Sequence, residues 1–158
     1  MPIRLDAPEI EVVQIPAPGA GVEWSFVCPG DGARRIVGGA WTLTTSAVVD
    51  NRIATLTVDD QTNDLMRLVG NNVQVAATTQ QNSFYCGSIA AFISGTAWTL
   101  PFPTDGVLLL PGWRLRSVTR LFDVGDAHSN IALYVVRYPN GPTNRVLPDV
   151  PTFLTDKA

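Results

Sequence analysis

"VLLLPGWRLRSVTRLFDVGD", residues 107–126, is the stretch whose reading decides the fold. Three arginines, Arg114, Arg116 and Arg120, stand among apolar and hydroxyl residues. Wound as a helix, residues 113–121 scatter those arginines around the wheel. Extended as a strand, they fall on one face with Val118, while Trp113, Leu115, Ser117, Thr119 and Leu121 fall on the other. Pro111–Gly112 just before offers a preset φ followed by a position that accepts positive φ, as a type II turn requires. The segment is therefore predicted to be a turn and a strand with one polar face, not a basic helix lying on a membrane.

The same period of two runs through most of the chain. "VEWSFV" puts Val22, Trp24 and Phe26 on one face, and "AWTLTTSAVV" puts Trp41, Leu43 and Thr45 on one face. Val and Thr are frequent, which suits pleated surfaces. Turn signals recur at "CPGDG", "VDN", "DDQTND", "GNN", "LPG" and "VGD". We expect strands over 22–27, 35–46, 49–58, 64–69, 73–85, 96–101, 107–121 with a break at Pro111–Gly112, and 130–138, about eight in all, in an antiparallel, jelly-roll-like β-sandwich. Two segments are open: 62–70 fits a strand or a capped helical turn ending at Gly70, and 86–95 a strand or a short helix. Prolines 2, 8, 16 and 18, and 139, 142, 148 and 151, mark both ends as extended. The expected organisation is an N-terminal arm over 1–20, a β-sandwich over 21–138 and a C-terminal tail over 139–158.

Composition narrows the function classes. The chain has 158 residues, of which 46 % are hydrophobic and only 16 % charged, against about a quarter charged in ordinary soluble proteins. A net charge of -3 argues against nucleic-acid binding, which needs surplus Lys and Arg. No apolar run approaches the ~20 residues that span a bilayer as a helix, and the N-terminus lacks a signal-peptide layout. Of the eleven basic residues only Lys157 is not Arg, and Arg favours bidentate pairs and interfaces. The only glutamates are Glu9, Glu11 and Glu23.

Catalysis needs convergent titratable groups, and these are scarce. His128 is the only histidine and is expected to be a solvated residue beside the "VGD" turn. Cys28 and Cys86 are expected to be half-buried free thiols. Asp59, Asp60 and Asp64 offer oxygen ligands for Ca²⁺ but not in EF-hand order, and Asx-rich turns form for conformational reasons alone. No catalytic residue, metal site or cofactor is expected, so the chain is read as a non-enzyme. Trp24 and Trp41 belong to the core. Trp98 and Trp113, beside Pro and Gly turns, are the expected exposed pair for a ligand or a neighbouring subunit. Together with Arg114, Arg116 and Arg120 they are the predicted partner-binding residues. In an acidic chain these arginines are expected to pair with carboxylates of neighbouring strands or subunits.

The block "VVDNRIATLTVDDQTND", the strand ending in "SFYCG", and "LLLPGWRLRSVTRLFDVGDAHSNIALYVVRY" resemble small virion proteins of tailed double-stranded-DNA bacteriophages. The resemblance covers most of 22–138, excludes arm and tail, and is a pattern of strands and turns without a catalytic signature. It implies a structural part of the particle, first a capsid decoration or cement protein. It would be assembled in the host cytoplasm, bound to the major capsid protein or other virion proteins, and self-associated as a dimer or trimer. A tail, fibre or adaptor component is the alternative within the particle. A carbohydrate-binding β-sandwich using Trp98 or Trp113 is the alternative of another class.

Overall fold

The computed structural model describes residues 9–70, 73–94 and 96–138. They form eleven strands: β1 (Glu9–Ile15), β2 (Ser25–Val27), β3 (Ala33–Thr44), β4 (Thr55–Asp59), β5 (Asp64–Val69), β6 (Thr79–Tyr85), β7 (Ala91–Ser94), β8 (Ala97–Thr99), β9 (Val107–Leu109), β10 (Arg114–Ser117) and β11 (Ala127–Tyr138). The larger sheet runs β1-β11-β3-β6-β8-β7, with β9 also paired to β3; the smaller runs β2-β10-β4-β5. Every pair is antiparallel except β6 with β8. The two sheets pack face to face as an all-β sandwich. The open segment 62–70 contains strand β5, and 86–95 begins as a turn and continues into strand β7.

The long strands β3 and β11 form the spine, and each carries one extra residue. Between Ser129 and Ala132 the surplus lies in β11, where Asn130 has φ 49°. Between Tyr134 and Val135 the surplus lies in β3, at Val37. Each bulge switches which parity faces inward. Hence His128 points into the sandwich, and so do Ile131, Leu133 and Val135. Gly39 follows the second bulge, and a Cβ there would sit 2.7 Å from Phe84 Cζ and 2.8 Å from the Ala132 carbonyl. The absent side chain lets the Phe84 ring lie against the sheet.

Aromatic rings fill the space between the sheets. Trp24 and Trp41 meet edge to face at 5.5 Å, and the chain of contacts continues through Phe84 to Phe102. Leu43, Leu56, Leu115, Leu133 and Leu109 close around them with essentially no exposure. Cys28 is buried and Cys86 half-buried, both free.

Several expectations need correction. Residues 9–15 are not a free arm. They pair along β11 from Glu9↔Arg137 to Ile15↔Ile131, and Val13 and Ile15 pack on the core. The prolines flank this strand rather than interrupt it, so the sheet begins well before residue 21. Residues 1–8 and the tail 139–158 lie outside the described residues. The strand expected over 49–58 forms only from Thr55; ahead of it Arg52 and Ile53 make isolated bridges to Gln74 and Arg120. The break expected at Pro111–Gly112 is present, and the Leu110–Trp113 turn divides 107–121 into β9 and β10. That turn closes with the Trp113 N–H on the Leu110 carbonyl at 2.9 Å and Gly112 at φ 84°, the predicted type II geometry.

Candidate functional site

On the outer face of the small sheet, β10 carries the opening arginines beside β4. The register sets Arg114 opposite Asp59 and Arg116 opposite Thr57. Both guanidinium groups reach the Asp59 carboxylate, at 3.0 and 2.7 Å, and Arg116 also reaches Asp64 at 3.0 Å. Arg67 pairs with Asp64 at 2.9 Å. The aliphatic stems cover Thr57, which is fully buried on an outer face. Burial pushes the Asp59 carboxyl up, but the two arginines and the Gln61 N–H outweigh it and hold it below the usual range. Asp60 closes its own turn by accepting the Thr62 and Asn63 N–H groups. The "DDQTND" acids are thus occupied by arginines and turn amides. Among the described residues no group of three or more His, Cys, Asp or Glu is placed to hold a metal.

Arg114 and Arg116 are therefore engaged within the chain. Asp59→Ala leaves the Arg114 guanidinium without its acceptor and Arg116 with Asp64 alone, and is expected to cost about 1–3 kcal/mol in denaturant unfolding. Arg120→Ala is expected to stay within about 0.5 kcal/mol. Arg120 is exposed, has no acidic partner among the described residues, and flanks a shallow groove with Arg67 over Ile53, Val69 and Val118. Trp113 is half-buried against the core. Trp98 is half-buried too, and lines a separate hollow on the large sheet. The five predicted residues do not converge: three arginines share one face, and the two tryptophans stand apart.

His128 overturns its expectation. It is 1 % exposed. Its Nε2 lies 2.8 Å from Glu23 Oε2, and its ring stacks on Phe122 at 5.0 Å. The Ser117 hydroxyl and the Thr119 N–H donate to the same carboxylate. A carboxylate only accepts, so Nε2 carries the proton and Nδ1 faces no partner. Nucleophilic catalysis needs a hydroxyl bonded to the histidine. Here the hydroxyl is bonded to the acid instead, so the cluster joins β2's approach, β10 and β11 rather than activating Ser117. Burial pushes the Glu23 carboxyl up, yet the bonds from His128, Ser117 and Thr119 prevail and hold it below 4.5.

A second polar cluster escaped sequence reasoning. Arg52 and Asp126 form an ion pair at 3.0 Å with no exposure of either side chain. The signal was present in "DNR" and "VGD", but nothing in the spacing joins them.

The outer face of the large sheet has the opposite character. One row crosses four strands as Val12, Tyr134, Gly38 and Tyr85. Its exposed side chains are Val12 at 56 %, Tyr134 at 46 % and Tyr85 at 56 %, with the Tyr134 ring lying against Gly38. The row beside it, Ile10, Val136, Arg35 and Leu108, holds one charge, and Arg35 sits over the Tyr138 ring. On the other side come Gln14, Ala132, Ala40 and Ser83.

The chain matches no family model, no curated protein and no solved structure. No helix of the described residues is long and apolar enough to cross a membrane.

Proposed function

We propose that the chain is a structural protein of a tailed-bacteriophage particle, a decoration or cement protein that docks on the capsid lattice and associates with copies of itself. The observation that carries this reading is the outer face of the large sheet. Three adjacent rows present aliphatic, tyrosine and small side chains with a single charge. Flat apolar and tyrosine-rich surface of this kind marks protein interfaces. The resemblance in the 48–64 and 108–138 segments points the same way. The cationic surplus on the small sheet, two bound aspartates against Arg67, Arg114, Arg116 and Arg120, gives the opposite face a charge complement for an acidic neighbour.

The test is binding of the purified chain to phage heads prepared without it, read by co-sedimentation. Val12→Asp with Tyr85→Asp places two charges in the apolar row, on strands that are not neighbours, and touches nothing in the core. The pair is expected to weaken head binding at least tenfold while the melting temperature holds. Undiminished binding by that variant would remove this face from the proposal. Deletion of residues 1–20 is not a clean test of an arm, because it also strips β1 from the sheet.

A further inference from the structure

We infer that the groove flanked by Arg67 and Arg120 receives residues 146–156, "VLPDVPTFLTD", from a second copy of the chain. The groove lies on the outer face of the small sheet, with Ile53, Thr55, Val69 and Val118 as its floor. It holds about 350 Å³, within the ~300–1,000 Å³ of ligand pockets. Arg120 is exposed and has no acidic partner among the described residues. Arg67 shares the Asp64 carboxylate with Arg116 and spends one nitrogen on it. Both guanidinium groups therefore keep donors for an incoming carboxylate. None of the lining residues is acidic or aromatic. A strand of nucleic acid needs stacking rings or a longer run of cations. An extended peptide with carboxylates among apolar side chains matches both the rim and the floor.

The chain itself contains such a peptide. Residues 146–156 carry Asp149 and Asp156, no cation, and Val146, Leu147, Val150, Phe153 and Leu154. Residues 1–8, at the other end, set Arg4 against Asp6 and offer no net charge. Length favours a second copy over the same one. The groove lies near the start of β11, because Arg52, next to Ile53, is bonded to Asp126. Tyr138 is at the opposite end of that 12-residue strand, about 35 Å away. Val146 follows Tyr138 by eight residues and so lies at most about 28 Å from it. The beginning of the segment thus falls short of its own groove, and a neighbour's groove sets no such limit. The inference rests on the self-association in the proposed function and not on the capsid.

Sedimentation velocity on the full chain tests it. Wild-type chain is expected to associate at or below about 1 mM. Arg120→Glu reverses an exposed charge outside the core and is expected to weaken association by about tenfold or more. Asp149→Arg with Asp156→Arg is expected to do the same from the other side of the contact. Mixing the two variants should restore association, because the first keeps the acidic segment and the second keeps Arg120. Recovery also shows that both chains are folded. A monomeric wild type, undiminished association of either variant, or no recovery in a mixture of chains with wild-type melting temperatures overturns the inference. So does a wild type that stays monomeric but binds a single-stranded oligonucleotide through Arg120, which assigns the groove to nucleic acid. Val12→Asp with Tyr85→Asp should associate as wild type does, so a failure of head binding and a failure of this contact are read separately.

Discussion

Arg52→Met is expected to lower the unfolding free energy by about 3–5 kcal/mol at neutral pH, the cost of stranding one member of a buried pair. All of the guanidinium's donors are used. Nε and Nη2 hold the two Asp126 oxygens at 3.0 and 3.2 Å, Nη2 also donates to Ser46 Oγ, and Nη1 donates to the Val48 and Asp50 carbonyls. Asp126 in turn accepts the Ser46 and Asp123 N–H groups at 2.7 and 2.9 Å. One ion pair thus closes the 46–52 loop onto the 123–126 turn. Burial pushes the Asp126 carboxyl up, but Arg52 and the two amides hold it below the usual range. Methionine removes the largest of the opposing influences, so the carboxyl rises. The variant's deficit should therefore shrink as pH falls and the stranded acid takes up a proton. Urea unfolding at pH 7 and pH 4 checks both parts. A deficit below about 1 kcal/mol, or one unchanged between the two pH values, contradicts the account. Arg52→Met with Asp126→Leu should recover only part of the loss, because the Ser46 and Asp123 amides then lack their acceptor.

Periodicity made the sandwich legible, because alternation in 24–26, 41–45 and 114–119 survives as alternating burial. What it missed has one physical origin. Counting by twos assumes an unbroken strand, and both spine strands carry a bulge. Beside the "VGD" turn and ahead of a strand expected from 130, His128 looks solvated; β11 begins at Ala127, and the extra residue at Asn130 turns His128 inward. The buried pairs were invisible for a related reason. Arg52 and Asp126, or Glu23 and His128, meet only through the pairing of distant strands, and neither has a local motif. One clue stood in the composition. The few glutamates are spent near the N-terminus, and the structure shows two of them at work: Glu11 holds buried Arg34 at 3.1 Å, and Glu23 holds His128. Glu11 lies on β1, so its ion pair with Arg34 helps tie to the body a segment whose prolines read as a separate arm. Of the predicted partner-facing arginines, Arg114 and Arg116 did find carboxylates, on the neighbouring strands of the same chain.

Glu23→Ala is expected to cost about 2–4 kcal/mol, since it leaves three donors, on His128, Ser117 and Thr119, without their acceptor in a largely buried site. The pH dependence separates this role from packing. The folded carboxyl sits below its ordinary 4.5, so the folded state binds fewer protons than the unfolded chain in that range. Its contribution is complete above about pH 5 and fades as the pH falls through 4.5 toward the folded value. Wild-type chain should lose stability steeply there, with Asp59 and Asp126 adding to the slope from the same direction. Glu23→Gln keeps the shape and one acceptor oxygen. It should be less destabilised than the alanine variant at pH 7 and show a shallower loss between pH 5 and pH 3. Unfolding free energies measured across that range decide the matter. If Glu23→Gln keeps the full wild-type acid slope, the carboxylate is not what clamps His128 between β10 and β11. The same comparison bears on the interface, because the clamp fixes where β11 begins, and β11 carries Tyr134 and Val136 to the apolar outer face. On the proposed capsid reading, a chain loosened at Glu23 should lose head binding in parallel with stability, whereas Val12→Asp with Tyr85→Asp should lose binding alone.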